Sequence, residues 1–161
     1  LPANNNFEGV VMKADSVQEM KQAQMPHNLF IVAAMLFDLL MTPAAIAMKI
    51  GMYGLLVPLL LSACAIAYIY FQSRKISVPF VKAHWKLAFK RCQFLMIGYA
   101  VSAVLILLAS LLGMASSDPN MKHIILIALT RIAIIPSLIA VMVTLLMEAG
   151  SLGQAGRGEA P

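Results

Sequence analysis

Asp38 and Arg131 stand deep inside apolar runs long enough to cross a bilayer. An ionisable side chain in hydrocarbon costs about 2.5–3.5 kcal/mol on insertion scales, so it is kept where it is paired, hydrated or used. The chemistry open to such a couple is an intramembrane ion pair or a hydrated path for protons or ions. At 1.5 Å rise per residue Asp38 lies about 13 Å in from one side and Arg131 about 10 Å in from the other. Across a core of about 30 Å their Cα atoms then differ in depth by about 6 Å, which an extended Arg can span. The two are expected to pair, directly or through Thr42 or Thr130, or to face a partner subunit that supplies the missing countercharge.

Other chemistry is sparse. Cys64 falls within one apolar run and Cys92 at the start of another, and they form no CxxC, which argues against thiol exchange. His27, His84 and His123 fall at the edges of apolar runs, where solvation is the ordinary reason for a lone histidine. Haem ligation needs two axial ligands that face one another in a bundle, and no such pair is apparent, although His27 with His84 is a geometric possibility. Twelve methionines are scattered rather than clustered, which suits packing better than a copper path. No phosphate loop, Ser-His-Asp order or zinc spacing stands out, so no cofactor, metal or catalytic residue is assigned.

The elements that must carry these residues follow from composition. The chain has 161 residues, of which 61% are hydrophobic and 12% charged, and its mean hydropathy is +0.84. Water-soluble domains carry about 25% charged residues, so the expected solvent is lipid. Four apolar runs, 29–48, 52–71, 93–114 and 124–147, predict an all-α, polytopic bundle of four transmembrane helices. Only Lys49, Ile50 and Gly51 separate the first two runs, so the chain must turn near Gly51 and Gly54. Ser116, Ser117, Asp118, Pro119 and Asn120 mark the turn between the last two. Continuous apolarity without period-two alternation disfavours a β-barrel. Residues 1–28 read as a polar N-terminal tail without a secretory signal, and 150–161, rich in Gly and Ala, as a mobile C-terminal tail.

Six of the twelve Lys and Arg residues fall between the second and third runs: Arg74, Lys75, Lys82, Lys86, Lys90 and Arg91. Basic loops stay on the cytoplasmic side, so both termini are expected inside, in a bacterial inner membrane. Within this connector, helical projection gathers Val81, Trp85, Ala88 and Cys92 on one face beside a row of Lys82, Lys86 and Lys90. The pattern predicts a basic interfacial helix, with Trp85 at the headgroup boundary and the lysines on anionic lipids or an acidic partner. Nucleic acid is not expected, because topology already accounts for a pI of 9.4.

The stretch Pro79-Phe80-Val81-Lys82-Ala83-His84-Trp85 follows a Leu-Val-Pro-Leu-Leu helix around Pro58 and a basic turn. Over residues 52–115 or so, this arrangement resembles the bacterial relatives of the chloroplast inner-envelope import-channel family. The resemblance implies a four-helix membrane fold and assigns no activity.

Small-xxx-small spacing marks Ala63 with Ala67 in the second run, and Gly98 with Ser102 and Ala109 with Gly113 in the third. These positions are expected to allow close helix packing, within the bundle or against other membrane subunits. Pro43, Pro58 and Pro136 each interrupt a crossing and can kink it. Short loops, sparse chemistry and small-residue faces together point to a non-enzymatic small integral subunit or assembly factor of a larger inner-membrane complex. The alternative is a small transporter or proton- or ion-conducting protein that uses Asp38 and Arg131.

Overall fold

A computed structural model of the chain describes residues 13–48 and 52–161. The first twelve residues of the expected N-terminal tail and the expected turn at Gly51 lie outside the described residues. Ser16 caps the first helix by accepting from the Glu19 amide. Helix α1, Val17–Ala33, runs on into a π-type segment, Ala34–Met41, and then into α2, Thr42–Ala47. The π-type register is visible at its exit, where both the backbone N–H and the side-chain hydroxyl of Thr42 donate to the Phe37 carbonyl. Pro43 follows at once and cannot donate an N–H to the preceding turn. Asp38 therefore sits in a locally widened stretch of helix, a form that recurs at functional sites.

Helix α3, Met52–Lys75, returns, and α4, Pro79–Ala115, crosses again with Pro79 in its first turn. The last crossing is α5, Pro119–Ala133, and α6, Ile135–Gly156, with Asp118 capping α5 through the Asn120 amide. The break at Ile134 precedes Pro136, whose missing N–H interrupts the ladder of hydrogen bonds. Among the described residues, four stretches are long and apolar enough to span a membrane: Val17–Ala45, Leu56–Lys75, Pro79–Ala115 and Pro119–Gly156. The protein is thus an all-α, multi-pass membrane protein.

Three of these stretches exceed the roughly 20 residues a crossing needs. With 37 residues, α4 is about 55 Å long at 1.5 Å per residue, against a hydrocarbon core of about 30 Å. The excess lies at one end of the bundle, where α1 begins, α4 begins and α6 finishes. We call this the head end. Its core is the buried cluster of Ala23, Phe30, Val81, Trp85, Ala88 and Cys92, joined by Ala140, Val141 and Ala155. Small side chains on α1, α4 and α6 let the three backbones come close there.

The connector pattern is correct in its face and differs in what covers it. Val81, Trp85, Ala88 and Cys92 do share one face of α4, yet each is at most 3% exposed and packs into the core. Trp85 meets Tyr68 of α3 edge to face. Lys86 and Lys90 are exposed and Lys82 is half-buried. The physical reason is that α1, α3 and α6 all pack against α4 and cover this face.

The C-terminal segment also departs from expectation. Residues from Gly150 onward continue α6 to Gly156, with Ser151 and Ala155 buried. Gly158, at φ 70°, then closes a Schellman turn in which its amide donates to the Ala155 carbonyl and that of Glu159 to Gln154. The Ala14 amide donates to the Gly158 carbonyl at 3.2 Å, and Lys13 pairs with Glu159 as an isolated antiparallel bridge. The segment read as mobile is a docked strap. Its Gly and Ala content serves close packing and a positive φ rather than disorder.

The small-residue stripes divide. Gly98 approaches α6 so closely that an added Cβ would collide with Ala140 Cβ and lie 3.4 Å from the Pro136 carbonyl. Ser102 Oγ accepts from the Ser137 amide at 3.1 Å, Ala109 is buried, and Gly113 faces Leu126. This stripe binds α4 to the last crossing. Ala63 and Ala67, by contrast, are exposed on α3 and line an open groove with Phe89, Met96 and Tyr99 of α4.

Candidate functional site

Three helices place polar side chains on buried stripes at three- and four-residue spacing. On α1 the stripe is Ala23, His27, Phe30 and Ala34, and on α4 it is Val81, His84, Ala88, Cys92 and Leu95. On α6 it is Val141, Thr144, Glu148, Ser151 and Ala155. His27, His84 and Glu148 are all 0% exposed. The apolar runs begin at Leu29 in the first crossing and Gln93 in the third, and end at Met147 in the last. The three buried residues therefore sit together at the head-end border of the apolar belt.

They form a chain. His27 Nδ1 is hydrogen-bonded to Glu148 Oε2, and His27 Nε2 meets His84 Nδ1 at 3.0 Å. His84 Nε2 lies 3.1 Å from the Glu159 carbonyl oxygen of the strap. The two rings stand edge to face at 86°, with Phe80 edge to face on His84. Arg91 closes the far side of Glu148: its Nη1 is 3.6 Å from Oε1 and donates to the Met147 carbonyl, while Nη2 donates to Ser151 Oγ at 2.7 Å. Thr144 satisfies itself on the Ala140 and Val141 carbonyls of its own helix.

Counting protons shows what this arrangement can do. Three links, Glu148 to His27, His27 to His84 and His84 to the Glu159 carbonyl, need three hydrogens. Each neutral imidazole carries one N–H, and both ends of the chain are acceptors when Glu148 is a carboxylate. Two neutral histidines thus supply two hydrogens for three links. The chain is complete only when it holds one further proton, either on Glu148 or as a second N–H on an imidazole. Buried polar groups that lack a partner cost roughly 1–3 kcal/mol each, so an unfilled link weakens the cluster. The expectation of edge-solvated histidines fails for His27 and His84. His123 is exposed at the other end.

Asp38 and Arg131 do not pair directly; among the described residues the ion pairs within 4.0 Å are His27–Glu148, Arg91–Glu148 and Arg157–Glu159. They line opposite walls of one lateral cleft of about 800 Å³, together with Thr42, Tyr99, His123 and Thr130. Asp38 takes a long hydrogen bond from Ser62 Oγ at 3.5 Å, with the Tyr99 phenol beside it. The cleft exists because α5 packs on α4 and leaves the first two crossings uncovered, after the last crossing changes course at Ile134 and Pro136.

A second, very small void of about 10 Å³ is bounded by Asp38 and Ser62 on one side and Cys92 on the other, with Phe30, Ile69 and Leu95 around it. That volume is at the lower limit for a single water. Cys92 and Glu148 belong to the buried stripes of α4 and α6, two helices that pack on each other.

Of the residues singled out from sequence, Asp38 and Arg131 share the cleft, and Gly98, Ser102, Ala109 and Gly113 share one helix contact. Lys82, Lys86 and Lys90 stand apart from both. Glu148 and Arg91 were missed. Glu148 follows directly on an apolar run and looks like its aqueous end, and Arg91 looks like one more member of the basic connector. The available signal was the continuation of small and polar residues, Thr144, Glu148, Ser151 and Ala155, at helical spacing past the apolar run. No family model matches this chain, and neither the curated proteins nor the solved structures hold a match, so the resemblance above rests on residues 79–85 and their surroundings alone.

Proposed function

We propose that this chain is a small proton-conducting membrane protein, in which Asp38 collects protons from the lateral cleft and the Glu148–His27–His84 chain delivers them at the head end. The observation that carries the reading is the buried three-link chain, which is complete only with one extra proton. Phe30, Ile69 and Leu95 form the apolar constriction between the two halves, and hydration of the small void beside Cys92 would connect them. In purified proteoliposomes under a potassium diffusion potential, proton uptake should exceed that of empty vesicles by about tenfold, and Asp38→Asn should return it to the empty-vesicle rate. Uptake no faster than in empty vesicles defeats the reading.

A second reading, a non-enzymatic subunit or assembly factor of a larger inner-membrane complex, is favoured by the exposed Ala63 and Ala67 on α3. Stable copurification of another membrane protein, lost on Ala63→Leu, would favour it over autonomous conduction. In either case we place the head end in the cytoplasm of a bacterial cell, because the Arg74–Arg91 cluster belongs to it. Ser77 and Ser117 are both exposed at opposite ends, so single cysteines there, in a background lacking Cys64 and Cys92, should label from opposite sides of the membrane. Equal labelling of both from the periplasm would reverse or abolish this assignment.

A further inference from the structure

The two charges in the cleft are unequally provided for. Asp38 is half-buried and has Ser62 and Tyr99 as hydroxyl neighbours on its own wall. Arg131 is exposed to the cleft and has no ion-pair partner among the described residues. A guanidinium about 10 Å inside the apolar belt is stable when an anion or water meets it. Its surroundings favour an amphiphile over a free ion. Leu59, Ile106, Leu126, Ile127 and Ile134 make most of the remaining wall, and α5 leaves the cleft open sideways. About 800 Å³ falls within the range of ligand pockets, which pair apolar walls with a few convergent polar groups.

We infer that the lateral cleft binds the anionic head of a membrane amphiphile, a carboxylate or phosphodiester, on Arg131, with its chain along the apolar wall of α5. The five-donor fork of Arg131 suits a planar or tetrahedral oxyanion, and Thr130, its sequence neighbour, adds a hydroxyl. Asp38 repels an anionic head, so the head sits on the α5 wall and leaves the Asp38 wall clear. Binding at Arg131 thus does not depend on whether Asp38 conducts.

The test uses the full chain in mild detergent and a long-chain fatty acid bearing a mid-chain diazirine. Irradiation should place the adducts on α5 and on α4 near Ile106, and Arg131→Gln should reduce them by about tenfold, with Arg131→Lys intermediate. Asp38→Asn should raise labelling, because it removes the repelling charge; this effect is opposite to its expected effect on proton uptake, so the two readings fail separately. Competition by oleate but not phosphatidylglycerol identifies a carboxylate ligand, and the reverse identifies a phospholipid head. Adducts spread evenly over all lipid-facing helices overturn the inference, as does equal labelling by the methyl ester of the probe. So does an Arg131→Gln variant that elutes like the wild type and labels as strongly.

Discussion

Glu148→Leu should cost about 3–5 kcal/mol of stability, the usual penalty for breaking a buried ion pair from one side. The carboxylate is 0% exposed and serves both His27 and Arg91. With leucine in its place, the Nδ1 end of His27 loses its partner, and the Arg91 cation keeps only the Met147 carbonyl and Ser151 hydroxyl. Glu148→Gln retains shape and an acceptor oxygen and should cost less. The double change Glu148→Leu with Arg91→Met should also be milder than Glu148→Leu alone, since no unpaired charge is then left inside. Thr144→Ala is the control, because its hydroxyl bonds only to its own helix and should matter by about 1 kcal/mol. Reversible unfolding in mixed micelles reads all four. A Glu148→Leu variant as stable as Thr144→Ala would mean that the cluster contributes no more to the fold than one hydroxyl bonded to its own helix.

Removing residues 157–161 should expose the end of the histidine chain. At present His84 is wholly buried, and its Nε2 faces the Glu159 carbonyl. The strap that carries this carbonyl is held by the Schellman turn at Gly158, by the Ala14 amide and by Arg157, whose Nη2 lies 2.9 Å from Glu159 Oε2. That hydrogen bond holds the Glu159 carboxyl below its ordinary range, although both side chains face water and add little to stability. Without the strap, His84 Nε2 meets solvent, and modification by diethyl pyrocarbonate should rise about tenfold or more, the gain expected when local opening no longer limits access. Peptide mapping separates His84 from His123, which is exposed and should react equally in both forms. Gly158→Val should give an intermediate result. Left-handed backbone costs an L-residue about 1–2 kcal/mol, and the new Cβ would lie 3.3 Å from Met20 Sδ. Unchanged His84 reactivity in the truncated chain would show that the strap does not cover it.

The amino-acid sequence by itself determined the solvent, the number of crossings and the helix faces. Apolar runs of about 20 residues can satisfy their backbone groups in lipid only as helices, so composition and run length were enough for the bundle. Helical periodicity likewise grouped Val81, Trp85, Ala88 and Cys92 correctly, and the Gly98–Gly113 stripe, because residues on one face of a helix are fixed by 3.6-residue geometry alone. What covers a face was decided only by tertiary structure. Trp85 went to the core because α1, α3 and α6 pack beside α4 there, and a run-length reading stops each helix at the end of its apolar stretch. The same reading ended the last crossing at Met147 and so left Glu148, Ser151 and the strap in solution. Asp38 and Arg131 were placed at matching depth, yet depth does not specify the lateral distance between helices. The bend at Ile134–Pro136 turns α5 away from the first crossing and sets the two charges on opposite walls. His27, His84 and Glu148 meet across separations of 57 and 121 residues, and no local pattern encodes a contact that forms only when three helices pack.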